Sequence, residues 1–401
     1  MKYLIVVVAG LTDRPIAEKD NKTPLQLAET PNLDALLQKG ASGPVQTIPE
    51  SLPPGNEVSC LGLFGYDPEK YKPGHAALDA AGLGIEPGPD EIALCCDLIT
   101  LQSTHNDMVM KDYTGGNLSP NDSALLINAL KDQVIDVPVT FHHGKGYHNL
   151  ILLKNPPIQE RLSPPNELIG EGIRQFMPEG KNARELIFVM NQAQIILHNL
   201  PYNKKRVTEK TDPVNSIWIW GNGERPALPP FQELFGKTAS VITASTMVKG
   251  IAQLSGINVV DVEGATGFYN TAYSVKVKTA LAELEKNDVV FLHIAAGEEV
   301  SLKGNLDDKI LAIEDFDSEV VRPIAQALET QEETKLLIVV NHVSSAVLMK
   351  YDRAPVPYLA YSSKAGKSTS SLEKYDEQIL NSGKKFNTAP ELIAAFLNNE
   401  L

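Results

Sequence analysis

The sequence predicts an α/β fold, a mostly parallel sheet covered by helices on both faces, with a smaller α+β domain inserted into it. Three observations predict this. Several short runs are apolar throughout rather than alternating, as strands buried on both faces must be. Helical patterns fit between them, as the crossovers of a parallel sheet require. A middle stretch breaks the pattern and turns to shorter, turn-rich segments.

In chain order, "YLIVVVAG" reads as the first buried strand. "VNSIWIWGNG", "TASVITAS", "INVVDV", "NDVVFLHIAA" and "KLLIVVNH" read as further core strands, with helices such as "STMVKGIAQLSG" and "TAYSVKVKTALAELEK" between them. "EIALCCDLITLQ" and "DVPVTFHHGKGYHNLILLKN" look like hairpin strands. They place an α+β insertion at residues 72–180, leaving 1–71 and 181–401 as the core domain. The Pro-rich stretches "NPPIQERLSPPNE" and "GERPALPPFQE" read as surface crossings between the two domains.

Composition narrows the function. The chain has 401 residues, 43% hydrophobic and 21% charged, enough for two domains or one large domain with an insertion. A formal charge of −14 argues against an extended nucleic-acid or anionic-membrane surface, since both need clustered Lys and Arg. No apolar run reaches the roughly 20 residues of a membrane span. The start, "MKYLIVVVAGLTDRP", reads as a strand and not as a signal peptide. Three cysteines, Cys60, Cys95 and Cys96, cannot make a disulfide framework. Strand neighbours face opposite sides, so Cys95 and Cys96 read as packing, a vicinal disulfide being the lesser reading. A cytoplasmic location is expected.

In open α/β sheets sites form beyond the carboxyl ends of the strands. Here those ends carry Ala9 and Gly10, then Glu298 and Glu299, then Asn341 and His342. A two-metal site wants several carboxylates and imidazoles around ions about 4 Å apart, and few are offered. "ESLPPGNEVSCLGLFGYDP" leads through Pro-Pro-Gly into a helix, where Asn56 reads most simply as an N-cap. Asn has no hydroxyl to accept a phosphoryl group. Ser59, one turn on, reads as helix packing.

The motifs "KTPLQLAETPNLDALLQKGASG", "PPGNEVSCLGLFGYDPEKY", "AALDAAGLGI", "NKKRVTEKTDPVNSIWIWGNGERPALPPF", "VKGIAQLSGINVVDVEGATGFYNTAY" and "PVPYLAY" resemble the archaeal-type cofactor-independent phosphoglycerate mutases of the alkaline phosphatase superfamily. The likeness runs from end to end. It implies an alkaline phosphatase-like three-layer α/β/α core with an inserted α+β domain. It also implies an isomerase in which a Ser takes the phosphoryl group and returns it to the neighbouring hydroxyl, with two Mn²⁺ or similar ions clamping the oxygens.

Carried over position by position, the family pattern is altered. Ala9 stands where the first-strand Asp would ligate, and Asn56 stands at the Ser nucleophile. Glu298 replaces the Asp of the Asp-x-x-x-His pair, and Leu302 replaces its His. Asn341 replaces the Asp of Gly-Asp-His while His342 is kept, and a later metal His falls on Tyr351. Two anion-holding arginines fall on His75 and His148, and imidazole, with a pKa near about 6.5, grips phosphate less firmly at neutral pH than guanidinium. These changes lead to the expectation of a non-catalytic relative without a metal cofactor. Such a protein would bind a small phosphorylated or carboxylated metabolite, or serve as a subunit of a larger assembly, with Asn341 and His342 the remnant of a metal-site rim. The alternative is an active mutase, or another phosphoryl-transfer enzyme of the superfamily, with a rebuilt site; Glu299 and Ser301 stand near enough to contribute.

Further binding candidates remain. "FHHGKGYHN" brings His142, His143 and His148 beside Lys145, most simply as a glycine-turn hairpin with exposed polar groups. Asn203, Arg206 and Asn215 match the resembled pattern and are candidates for lining a ligand cleft.

Overall fold

The computed structural model describes residues 1–105, 107–154, 162–180, 183–330, 334–362 and 372–401. Two compact units emerge, one made of Met1–Lys72 and Ala227–Leu401, the other of Pro73–Pro226.

The core unit holds a seven-stranded sheet in the order β2 (Ala41–Val45), β14 (Val356–Ser362), β11 (Thr334–Val340), β1 (Lys2–Val8), β10 (Val289–Ile294), β8 (Ala239–Ile242) and β9 (Asn258–Val260). Strands β11, β1, β10, β8 and β9 run parallel, and at one edge β14 pairs antiparallel with both β11 and the edge strand β2. β1 lies at the centre because its apolar run is unbroken: Leu4, Ile5, Val6 and Val7 are all fully buried. The helix Tyr273–Lys286 packs against β10, β8 and β1, burying Val277 and Ala280. This is an α/β core built on a mostly parallel sheet, as expected.

Register then fixes where chemistry can occur. Val8 lies level with Ile294 on one side and Val340 on the other, so three strands end side by side. The loops after them meet. A Cβ on Gly10, whose φ is +79°, would lie 2.0 Å from the Gly297 carbonyl carbon, so only glycine allows this approach.

The second unit is an antiparallel sheet, β4 (Met108–Asp112), β3 (Glu91–Ser103), β6 (His148–Lys154) and β5 (Val139–Lys145), with β7 (Ser216–Trp220) paired to the free side of β3. The helix His75–Gly82 sits on β3 and β6. Ala76 and Ala80, one turn apart, pack with Ala93, Cys95, Leu150 and Leu152, and their small side chains let helix and sheet come close.

Two expectations are corrected. The run "VNSIWIWGNG" is not a core strand: Ser216–Trp220 pairs with Ile99–Cys95 of the second sheet, and the helix Ala183–Asn199 packs on it. The chain therefore returns to the core at residue 227 and not at 181, because residues 183–226 complete the apolar face of the second unit. The first Pro-rich stretch falls partly on residues 155–161, outside the described residues, and its described part, 162–167, belongs to the second unit. The second stretch spans the division at 226 and 227. Among the described residues no helix is long and apolar enough to cross a membrane.

Candidate functional site

The core unit gathers five of the seven positions singled out at its strand ends and helix start into one polar ring. The helix Asn56–Leu63 has Gly55 as its N-cap, so Asn56 is not the cap that its residue type suggests; it is the first helical residue, and its side chain points elsewhere. Asn56 Nδ2 donates to Glu298 Oε1 at 2.6 Å and to the Tyr351 hydroxyl at 3.3 Å. The Tyr351 hydroxyl donates to the same Glu298 oxygen at 2.5 Å. On its other face Asn56 Oδ1 accepts from Asn341 Nδ2 at 2.8 Å and lies 2.9 Å from His342 Nε2. Asn341 Oδ1 in turn accepts from the backbone N–H of His342 at 2.6 Å.

The ring assigns its own protons. Glu298 needs a donor, which orients the Asn56 amide; its oxygen then needs one from His342, placing that proton on Nε2 and leaving Nδ1 to accept from Ser344 Oγ at 3.3 Å. A neutral imidazole of this tautomer serves Asn56 and Ser344, while the Val343 carbonyl oxygen, 3.2 Å from Nδ1, is left without its proton. Burial agrees, holding the His342 pKa below the usual range against the pull of Glu298. The Tyr351 and His342 rings also pack, with centroids 4.3 Å apart.

The other two positions stay outside the ring. Ala9 is buried, its N–H donating to Ile294 O. Leu302 is buried one turn beyond Glu298 on the helix Ala296–Leu302. The donor set at the strand ends does not fit a two-metal clamp. Ala9, Leu302 and Tyr351 replace would-be ligands, and the amides of Asn56 and Asn341 occupy the space between Glu298 and His342. Ser59 and Ser301 are fully buried and donate to Gly55 O and Gly297 O of their own helices, so neither presents a hydroxyl. Glu299 bonds the Tyr269 N–H at 2.8 Å and pairs with Lys303.

The second unit holds a different cluster. His75 and Asp79 lie one turn apart on the helix His75–Gly82, while Cys95 and His148 come from the adjacent strands β3 and β6. Each offers a ligand atom, and the four atoms lie within 4.8 Å of one another. His148 is the hub: Nε2 lies 2.8 Å from Asp79 Oδ2 and Nδ1 lies 2.5 Å from Asp97 Oδ1. Burial disfavours a charge on this ring, yet Asp97 and Asp79 raise its pKa well above the imidazole range. Burial would likewise raise Asp79, but His148 and His75 hold it below the usual carboxylate value. Burial pushes the Cys95 thiol up, against the pull of His148. Cys60, Cys95 and Cys96 are free and buried.

The remaining candidates lie elsewhere in the second unit. Asn203 is buried, donating to Leu197 O and Val214 O and accepting from Val214 N–H. Arg206 donates to Asp212 O, the Tyr202 hydroxyl and Gly115 O. Asn215 pairs both ways with the Leu101 backbone. Lys145 and His143 are exposed on β5, and His142 is half-buried. The residues that sequence reasoning missed are Asp79, Cys95 as a donor, Asp97 and Trp220. The four-residue spacing of His75 and Asp79 was the one available signal, because the other partners arrive from distant strands.

Comparison with known proteins places these sites in context. A family model described as 2,3-bisphosphoglycerate-independent phosphoglycerate mutase matches residues 38–203. A probable mutase of that description from Geobacter sulfurreducens is 38% identical over 378 residues, 94% of either chain. One from Methanosarcina acetivorans is 35% identical over 385 residues, 96% of either chain. Among solved structures, a protein of Pyrococcus horikoshii superimposes with a TM-score of 0.76 at 25% identity, covering 100% of this chain and 98% of that one. The cofactor-independent phosphoglycerate mutase of Thermoplasma acidophilum gives 0.55 at 24% identity, covering 100% and 98%, a likeness of fold alone.

These findings correct the expectation of a non-catalytic relative without a metal. It is overturned by relatives named as mutases, 35–38% identical over nearly the whole chain, and by the four-donor cluster of the second unit, which can hold a metal. The chain belongs to the 2,3-bisphosphoglycerate-independent phosphoglycerate mutase family.

Proposed function

We propose that this protein is an active phosphoryl-transfer enzyme of its family, a phosphoglycerate mutase that moves a phosphoryl group between neighbouring hydroxyls of its substrate from a rebuilt site. The observation that carries this reading is the end-to-end relation to named mutases, 94% of the chain at 38% identity. The substrate is a small phosphorylated carboxylate, consistent with a formal charge of −14 that argues against an extended nucleic-acid surface. Three free, buried cysteines suit a reducing cytoplasm.

The rebuilt site is assigned to the strand ends of the core, where Glu298 and His342 supply a carboxylate and an imidazole around Asn56. Proton transfer is within their chemistry. The Asn56 amide can reorient toward a phosphate oxygen, and the start of its helix is the positive end of the helix dipole, which favours an anion.

The test is conversion of 3-phosphoglycerate to 2-phosphoglycerate by the full chain, assayed with Mn²⁺, Co²⁺ and Zn²⁺ in turn. Turnover that co-elutes with the chain and falls at least tenfold in Glu298→Ala supports the proposal. Absence of turnover with every ion, or turnover indifferent to both Glu298→Ala and His342→Ala, overturns it.

A further inference from the structure

We propose that His75, Asp79, Cys95 and His148 form a mononuclear site for a borderline transition metal of the Zn²⁺ class. The site lies wholly within the second unit, so the inference does not depend on the mutase reading. The donor set carries the first part of the argument. Two imidazoles, one carboxylate and one thiol are the ligand types that Zn²⁺ takes in four-coordinate sites, whereas Mg²⁺ and Ca²⁺ prefer all-oxygen shells.

Geometry carries the second part. Arms of about 2.0–2.3 Å set at tetrahedral angles give ligand-to-ligand edges of roughly 3.3–3.6 Å. The edge from His75 Nε2 to Asp79 Oδ2 is 3.3 Å, and from Cys95 Sγ to Asp79 Oδ2 it is 3.8 Å. The edge from His148 Nε2 to Asp79 Oδ2, 2.8 Å, is a direct hydrogen bond and must open by about half an ångström to admit an ion. Rotation of one carboxylate opens that edge, and the incoming ion displaces the His148 Nε2 proton and the Cys95 thiol proton to solvent.

The surroundings carry the third. A metal-binding imidazole is oriented when its far nitrogen is held by a carboxylate. His148 presents Nε2 to the cluster while Nδ1 is held by Asp97 Oδ1 at 2.5 Å, and Asp97 Oδ2 accepts from Trp220 Nε1 at 2.8 Å. The Trp220 ring also packs on His75, with centroids 4.7 Å apart. Asp79 and Cys95 are buried, while the side chains of His75 and His148 are 15% and 22% exposed, leaving a way in from solvent. The competing arrangement is a metal-free imidazolium between two carboxylates. That arrangement accounts for His148, Asp79 and Asp97 and uses Cys95 and His75 only as further neighbours of Asp79, with the thiol protonated; a thiolate bound to an ion therefore separates the hypotheses.

The experiment uses the full chain, stripped with a chelator and desalted, then titrated with Zn²⁺ and with Co²⁺ under reducing conditions. The expected result is one ion per chain that survives desalting. The Co²⁺ form should show the intense visible bands of a four-coordinate ion and a thiolate-to-cobalt charge-transfer band. Cys95→Ser should abolish that band, whereas Cys60→Ser should retain it. His75→Ala, at a partly exposed position, should weaken binding at least tenfold, and Asp97→Asn should lower affinity about 10–100-fold through the His148 ring. Failure of the wild-type chain to retain an ion overturns the site whatever the variants do, and so does a charge-transfer band that persists in Cys95→Ser. Because the readouts are stoichiometry and spectrum, they can succeed where the mutase assay fails, and the reverse.

Discussion

Asn56 in the core and His148 in the second unit are both hubs, each with polar partners on two sides, and they handle charge in opposite ways. The Asn56 amide offers a donor face to Glu298 and Tyr351 and an acceptor face to Asn341 and His342, so the ring closes around a neutral centre. His148 faces Asp79 and Asp97, two acceptors, and can satisfy both only as a cation. An amide hub is complete without any ion. An imidazole hub between carboxylates, with a thiol and a second imidazole at hand, is a preorganised cation site. Residue types that look alike in a list of polar positions thus do different work once their partners are known.

The contrast can be broken most severely at Asp79. In metal-free protein, Asp79→Ala leaves a buried imidazolium with one carboxylate instead of two and should destabilise the fold by about 3–5 kcal/mol, read from the urea midpoint. A loss below about 1 kcal/mol would mean that the cluster is not a coupled charged network.

The core should prove insensitive to pH at its ring, but Glu377, away from the ring, carries the largest shift of its carboxyls among the described residues. Glu377 is half-buried and accepts from the Thr23 hydroxyl and the Asp13 N–H, near Asp376 and the Asp13–Lys309 pair. Burial pushes its pKa up from 4.5 to about 7. A raised carboxyl holds its proton longer in the folded chain than in the unfolded one, so stability falls as pH rises from about 4.5 to about 7 and is level above. The shift corresponds to roughly 3 kcal/mol. Glu377→Gln should remove that slope, and an unchanged slope in denaturation midpoints across this window would assign it to another group.

A smaller effect is expected at the ring itself. Glu298→Ala strands the Asn56 N–H₂ and Tyr351 hydroxyl donors, costing about 1–3 kcal/mol, by an amount independent of pH between 6 and 8 because the hub is neutral. The mildest test is Trp220→Phe. It removes one N–H bond to Asp97 and should cost about 0.5–1.5 kcal/mol in chemical denaturation, while weakening metal retention through a less firmly held His148.

Much of the fold was legible from local pattern. The unbroken apolar runs of β1, β10 and β11 admit little but a central parallel sheet, and the end-to-end motifs pointed to the family. The boundary at 226 was not legible, because Ser216–Trp220 is as apolar as a core strand and only its pairing with β3 reveals which sheet it completes. The Asn56 assignment failed for a related reason. Residue type suggested a cap, but Gly55 took that place and freed the amide for partners about 240 and 290 positions away.

The sequence by itself determined which segments are buried strands, which residues could ligate or titrate, and which family the chain resembles, since periodicity and side-chain chemistry are local properties. Only the tertiary structure decided that Asn56, Asn341 and His342 close a neutral ring, and that His75, Asp79, Cys95 and His148 converge. Those outcomes depend on which strands lie side by side and in what register, and hydrogen bonds and ion coordination are made over a few ångströms whatever the separation along the chain.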